Sequence, residues 1–140
     1  MGKYIAIILL IGAGLWYFTS PSKAIGADGL PEAFTNQSYE EAVAQNARSS
    51  KPLIVIFSAT WCGPCRQMKE DVWPNSTIAA WVKSNAKVIY VDIDQNNAAA
   101  QANQIRGIPA MVVFKRGQPV NRTSGYYGPG DLLEWLESNK

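Results

Sequence analysis

Both cysteines of this chain lie in one short stretch, Ser58-Ala59-Thr60-Trp61-Cys62-Gly63-Pro64-Cys65-Arg66. The apolar run Leu53-Ile54-Val55-Ile56-Phe57 leads into it, and the helix-compatible segment Arg66-Gln67-Met68-Lys69-Glu70 leads out. This order places Cys62 where a strand gives way to a helix N-terminus. Free backbone N–H groups and the positive end of the helix dipole favour an anion there, and can lower a cysteine pKa from about 8.5 toward 7 or below. Cys62 is then a candidate nucleophile at neutral pH. Cys65, one helical step inside, is close enough to attack a mixed disulfide formed at Cys62 and release a substrate as a dithiol. The pattern points to redox chemistry.

Other uses of Cys-x-x-Cys can be weighed against the same sequence. A structural zinc site needs four ligands, and the chain has no histidine and no third cysteine, so one chain cannot close it. A c-type haem attachment needs His after the second Cys, where this chain has Arg66. A metal shared between two chains stays open. So does an inert structural disulfide, although its short loop would remove little chain entropy. No metal and no cofactor beyond the Cys62/Cys65 pair is expected.

Further motifs follow downstream: Val91-Asp92-Ile93-Asp94-Gln95-Asn96, Ile105-Arg106-Gly107-Ile108-Pro109, then Phe114-Lys115-Arg116-Gly117 and Gly125. Together with Trp61-Cys62-Gly63-Pro64-Cys65 they stand in the order, and close to the spacing, of the thioredoxin family, which the chain resembles over about residues 38 to 140. The resemblance implies an α/β thioredoxin fold with a central mixed sheet of four or five strands flanked by helices. It implies that Pro109 is cis and faces the cysteines, that Ile108 offers its backbone to an extended substrate segment, and that Gly125 shares that groove. Trp61, Gly63 and Pro64 complete the expected substrate-binding set, with Trp61 covering the thiol. Read without the family, Pro109 is a proline opening a strand, for which trans is about twenty times commoner than cis. Three positions depart from the family pattern. A buried acid usually stands five residues before the tryptophan, where it takes the proton of the second cysteine; here it is Ile56. A lysine common in the third strand is Tyr90, and the usual threonine after the cis-proline is Ala110.

The N-terminal part has another character. Lys3 is followed by Tyr4 to Phe18 without a charge, then by Thr19-Ser20-Pro21-Ser22-Lys23-Ala24. A core helix would need a polar face, and this run has none. Ser22-Lys23-Ala24 offers small residues at the positions read by a signal peptidase. Against cleavage, Trp16-Tyr17-Phe18 suits a membrane interface, and residues 2–20 span about 28 Å as a helix, near the bilayer core of about 30 Å. The balance favours an uncleaved anchor. A lipoprotein is excluded because no cysteine precedes Cys62. The expected organisation is a signal peptide or membrane anchor over residues 1–24, a linker over 25–37 and a thioredoxin-like domain over 38–140.

Within that domain Ser38 and Glu41 fit a capping box, opening a helix to about Arg48. The first strand of the family is expected to be absent or reduced to Ala33-Phe34-Thr35. Residues 53–58 lack alternation, which predicts burial on both faces of a mostly parallel sheet. The helix after the cysteines must end or kink near Trp73-Pro74. Asn75 is placed to cap a helix carrying Ile78, Trp81 and Val82. Residues 88–92 read as a strand, 98–104 as a short helix capped by Asn96 or Asn97, and 111–114 with 119–123 as a hairpin turning at Arg116-Gly117. Leu132, Leu133 and Leu136 of the last helix are expected to face the sheet. Trp73, Trp81 and Trp135 read as core or rim.

With 47% hydrophobic and 17% charged residues the chain has the composition of a compact globular domain. The net charge is only +2 and the basic residues are scattered along the sequence, so no nucleic-acid partner is expected. The expected activity is a protein-disulfide reductase outside the cytoplasm, in the periplasm or an equivalent compartment, and a monomer is expected. Reduction is inferred from Gly63-Pro64, which resembles reducing thioredoxins near about −270 mV rather than the oxidising relative near about −120 mV. An oxidising compartment would trap the Cys62–Cys65 disulfide, so a membrane-borne electron donor is implied. The alternatives are a disulfide oxidase or isomerase, and a non-catalytic module that binds peptides in the groove at Ile108 and Pro109.

Overall fold

The computed structural model describes Pro31 and residues 33–140. The expected signal or anchor, and most of the expected linker, lie outside the described residues. Among the described residues five α-helices and four strands follow one another: α1 (Tyr39–Asn46), β1 (Leu53–Ser58), α2 (Gly63–Gln67), α3 (Ser76–Asn85), β2 (Lys87–Asp92), α4 (Asn97–Ala102), β3 (Ala110–Lys115), β4 (Gln118–Ser124) and α5 (Pro129–Ser138). The sheet order is β2-β1-β3-β4. β1 and β2 are parallel, whereas β3 runs antiparallel to both β1 and β4. The expected mixed sheet therefore has four strands. The reduced first strand is a single parallel bridge from Phe34 to Val88, with Val88 N–H donating to Ala33 O and Thr35 N–H to Val88 O.

The unbroken apolar character of β1 follows from its place in the middle of this sheet. Ile54 and Ile56 point into one layer with Met68, Val72, Trp73, Ile78, Val82, Leu132 and Leu136, which belong to α2, α3, α5 and their connections. Leu53, Val55 and Phe57 point into the other, with Ala42 of α1 and Ala99 and Ala100 of α4. A strand with helices on both sides has no polar face to show. Leu132 and Leu136 are buried as expected, but Leu133 is only half-buried, because the apolar stripe of α5 is one residue narrower than the leucine run suggested.

Local signals set most boundaries. Ser38 Oγ accepts from Glu41 N–H at 3.2 Å while Ser38 N–H donates to the Glu41 carboxylate at 3.3 Å, a closed capping box. Asn75 and Asn96 cap α3 and α4 through their side-chain oxygens. α1 stops at Asn46, earlier than the expected Arg48, because the Asn46 side chain is spent on tertiary bonds. Its Nδ2 donates to Lys51 O at 2.9 Å, and its Oδ1 accepts from Gly117 N–H at 2.8 Å. That pair ties the end of α1 to the β3–β4 turn, where Gly117 has φ +77° and an added Cβ would come within 3.1 Å of Ala47 Cβ. The expected kink after the cysteines is a π-type turn over Met68–Val72, in which Trp73 N–H reaches back five residues to Met68 O at 2.9 Å. Pro74 follows it.

Candidate active site

The loop leaving β1 sets Cys62 as the N-cap of α2, in extended conformation, with Gly63 and Pro64 forming the first helical positions. Cys62 Sγ accepts from Cys65 N–H at 3.3 Å, so the sulfur occupies the position that a capping oxygen would take. A disulfide joins the two cysteines across a Cα–Cα distance of 5.3 Å. Both are deeply set, Cys62 at 5% and Cys65 at 3% exposure. Because β1 ends and α2 begins here, the sheet fixes one side of the pair and the helix the other.

The walls around the disulfide come from three stretches of the chain. Ala59, Ile93 and Ile108 pack on the cysteines. Trp61 is 67% exposed, and its Nε1–H donates to the Asp94 carboxylate at 2.8 Å. It stands as an aromatic wall beside the site, pinned to the loop after β2. Ile93 and Asp94 are the residues that sequence reasoning did not assign to the site. Their signal in the sequence is the Val91–Asn96 motif, which the parallel pairing of β1 and β2 brings beside the cysteines.

The Ile108–Pro109 peptide bond is cis, and Ile108 lies against the cysteine pair, so this loop and the disulfide face one another across the site. Pro109 O accepts from Gly125 N–H at 2.8 Å. Gly125 has φ +105°, a conformation that side-chain-bearing residues rarely adopt, and nothing crowds the place of its missing Cβ. Its glycine is thus a backbone requirement of the β4 exit that holds the Pro109 loop. Gly63 and Pro64 are exposed on the rim. The sequence-assigned set of Trp61, Cys62, Gly63, Pro64, Cys65, Ile108, Pro109 and Gly125 therefore gathers at one end of the sheet. Among the described residues no cluster of three or more His, Cys, Asp or Glu could hold a metal.

Behind Cys65 is an open hollow of about 850 Å³ lined by Ser58, Cys65, Lys69, Tyr90 and Asp92 among others. Ile56, 2% exposed, belongs to the apolar layer and pairs in register with Tyr90 and Met111. The position of the usual acid is thus filled by hydrocarbon, and its β2 neighbour by a phenol. Tyr90 stacks on Phe34 at 5.5 Å between centroids, and Lys69 Nζ lies 5.6 Å from the centre of its ring. The Tyr90 hydroxyl is buried and has no hydrogen-bond partner. Burial pushes the phenol well above its ordinary pKa. The folded state then keeps a proton that the unfolded chain releases, so stability falls once pH passes about 10, the unfolded value, and is unaffected below it. Tyr90→Phe is expected to raise stability at neutral pH by about 1 kcal/mol and to remove that alkaline fall, since it deletes an unpaired buried hydroxyl. Urea unfolding at pH about 7 and about 11 checks both; a loss of more than about 1 kcal/mol at neutral pH would show that the hydroxyl is bonded.

Comparisons with known proteins agree with this geometry. The thioredoxin family model matches residues 31–138. The chain is 40% identical over 111 residues to the thioredoxin of Mycolicibacterium smegmatis, covering 78% of this chain and 94% of that one. It is 36% identical over 91 residues to a thioredoxin-like protein of Synechocystis, covering 65% and 84%. Among solved structures, a thioredoxin variant from Halobacterium salinarum superposes with a TM-score of 0.58 at 25% identity, covering 76% of this chain and 88% of that one. A thioredoxin from Nicotiana alata gives 0.64 at 21% identity, covering 82% and 99%, a likeness of fold. A helix-capping Cys62 joined to Cys65, a cis-proline loop packed against the pair and this similarity over the whole described region make the chain a member of the thioredoxin family and a thiol–disulfide oxidoreductase.

Proposed function

We propose that this protein reduces disulfides in other proteins outside the cytoplasm, held at the membrane by its N-terminal segment. The observation that carries the chemistry is the capping geometry of Cys62, whose sulfur accepts the Cys65 amide hydrogen at 3.3 Å. That hydrogen bond and the helix N-terminus favour a thiolate at Cys62 once the pair is reduced. The Cys62 thiolate attacks one sulfur of a substrate disulfide; the Cys62–substrate S–S bond forms, the substrate S–S bond breaks, and the leaving thiolate takes up a proton. Cys65 then loses its proton and attacks the Cys62 sulfur. This closes Cys62–Cys65 and releases the second substrate sulfur as a thiolate, so the substrate gains two electrons and the enzyme loses two.

The substrate segment lies across Trp61, Gly63 and Pro64 on one side and Ile108, Pro109 and Gly125 on the other. Ile56 offers no base for the Cys65 proton, so that proton passes to water in the hollow shared by Ser58, Cys65 and Asp92. The direction of electron flow rests on Gly63-Pro64, and the place of action on residues 1–24, whose apolar run suits an anchor or export signal. A membrane-borne dithiol donor re-reduces the pair.

The reduced Cys65→Ser variant, mixed with insulin as a defined disulfide substrate, is expected to accumulate a one-to-one mixed disulfide at Cys62, resolved by mass spectrometry. Absence of any adduct would instead make the site a peptide-binding groove without turnover.

A further inference from the structure

The basic residues that look scattered along the sequence gather in space. Cys62 follows the C-terminal end of β1, and at the opposite end of the sheet lie Lys51, just before β1, Lys87, the first residue of β2, and Lys83, in the last turn of α3. All three are exposed, and together with Ala33, Thr35 and Ala86 they line one hollow of about 230 Å³. The β3–β4 turn brings Lys115 and Arg116 to the same end, because Phe114 pairs with Leu53 and Gly117 rests on Ala47, next to Arg48. The end of α5, which carries Glu137, comes to this end as well, since Lys115 Nζ donates to the backbone oxygen of Lys140. At the redox end acidic groups outnumber basic ones: Asp92 ends β2, Asp94 follows it, Glu40 accepts from the Asn96 side chain, Glu70 lines the hollow behind Cys65 and Asp131 opens α5, against Arg66, Lys69 and Arg106. The domain is electrically polarised along its strands.

The chain also enters at the basic end. Ala33 and Thr35 line the same hollow as the three lysines, Phe34 bridges to Val88 beside Lys87, and Phe34 N–H closes a turn onto Pro31 O, so the first described residues lie at the basic end. Residues 19–30 separate Pro31 from the apolar run of residues 4–18. Twelve residues of this Gly, Ala and Ser content are long enough to span on the order of 20 Å, which would let the basic end reach the surface into which the run inserts. An anionic lipid surface attracts juxtamembrane Lys and Arg within a Debye length of about 10 Å.

We infer that the Lys51, Lys83 and Lys87 end of the domain docks on an anionic lipid surface, holding the Cys62–Cys65 end away from the bilayer. The inference rests on the reading that residues 4–18 anchor the chain, and it adds an orientation to it. With β1 and β2 standing between the two ends, six residues each, the disulfide sits about 20 Å beyond the docked face. Substrates then approach from the aqueous side, and the donor must present its thiols at that height.

The test uses the full chain with phosphatidylcholine vesicles, with and without phosphatidylglycerol, followed by flotation and amide hydrogen exchange. Flotation with both vesicle types is expected. Exchange in residues 47–52, 83–87 and 115–117 is expected to slow about tenfold or more only when phosphatidylglycerol is present, while residues 60–64 keep their rate. The slowing should vanish when salt rises from about 0.1 M to about 1 M. It should also vanish in the Lys51→Gln/Lys83→Gln/Lys87→Gln variant, whose insulin-reducing activity should match the parent. Flotation without any lipid-dependent slowing would overturn the docking and leave the anchor standing. Flotation with neither vesicle would overturn both. Slowing that is equal in phosphatidylcholine, or that transfer RNA abolishes by drawing the basic end off the vesicles, would overturn the assignment to anionic lipid.

Discussion

Cys62→Ala is expected to reduce disulfide turnover to the background rate, a loss on the order of 1,000-fold or more, because the remaining thiol, Cys65, is buried one helical step inside α2 and lacks the N-cap position. Cys65→Ala should behave differently. It leaves Cys62 able to attack but without an intramolecular partner, so a single round of adduct formation survives while steady-state turnover is lost. The contrast matters because two cysteines joined only as a structural staple would give the same phenotype on mutation of either. Removing such a staple would lower stability and leave no adduct in either variant. Neither alanine should unfold the domain, since the loop closed by the disulfide spans only residues 62 to 65 and restrains little of the unfolded chain. Insulin reduction with parallel urea unfolding separates the two readings.

The largest loss of stability is expected at Trp73. Its side chain is completely buried, sits immediately after the π-type turn that ends the active-site helix, and meets Phe34 edge-on at 5.4 Å with an interplanar angle of 79°. Trp73→Ala should cost about 3 to 5 kcal/mol, from lost transfer free energy and from the cavity left among Ile78, Val82 and Leu136. Against a total of about 5 to 15 kcal/mol this is a large share. At roughly 4 °C per kcal/mol for a domain of this size, the midpoint should fall on the order of 15 °C. Trp73→Phe should cost much less than the alanine change. The indole Nε1–H is buried with no hydrogen-bond partner, so the smaller ring loses volume but also removes an unpaired donor. Thermal unfolding of both variants tests the packing argument: equal costs for the two would mean that the indole N–H is bonded after all.

The same tryptophan shows where sequence reasoning reached and where it stopped. Trp-Pro announces the end of a helix, and the structure places a π-type turn and Pro74 there. That Trp73 would pack against Phe34, thirty-nine positions earlier, has no local signal. Its consequence is that residues 33–35 join the folded unit through the Val88 bridge. Signals with a one-residue or one-turn cause were legible: the Ser38–Glu41 capping box, the Asn75 cap, the two-faced burial of β1 and, to within one residue, the Asn96 cap.

The site divides in the same way. Cys62 at the strand-to-helix junction can be read from hydrophobic pattern and helix chemistry alone, whereas the cis Ile108–Pro109 bond could be anticipated only through family resemblance. Trp61 beside Cys62 invites the idea of a cover. Its real anchor, Asp94, is brought there by the parallel alignment of β1 and β2, a tertiary fact. The hollow behind Cys65 and the orphaned Tyr90 hydroxyl belong to this class too, because they arise from how Ile56 and Tyr90 sit side by side across two strands. The gathering of basic residues at one end is likewise visible only once register is known.

The central claim is that this Cys62/Cys65 pair works as a reductant. Its reduction potential, measured by equilibrating the chain in dithiothreitol or glutathione buffers and following the fluorescence of Trp61 beside Cys62, tests that most directly. The account predicts a value near about −270 mV. A value between about −120 and −180 mV would contradict it, and would make the protein an oxidase or isomerase of disulfides.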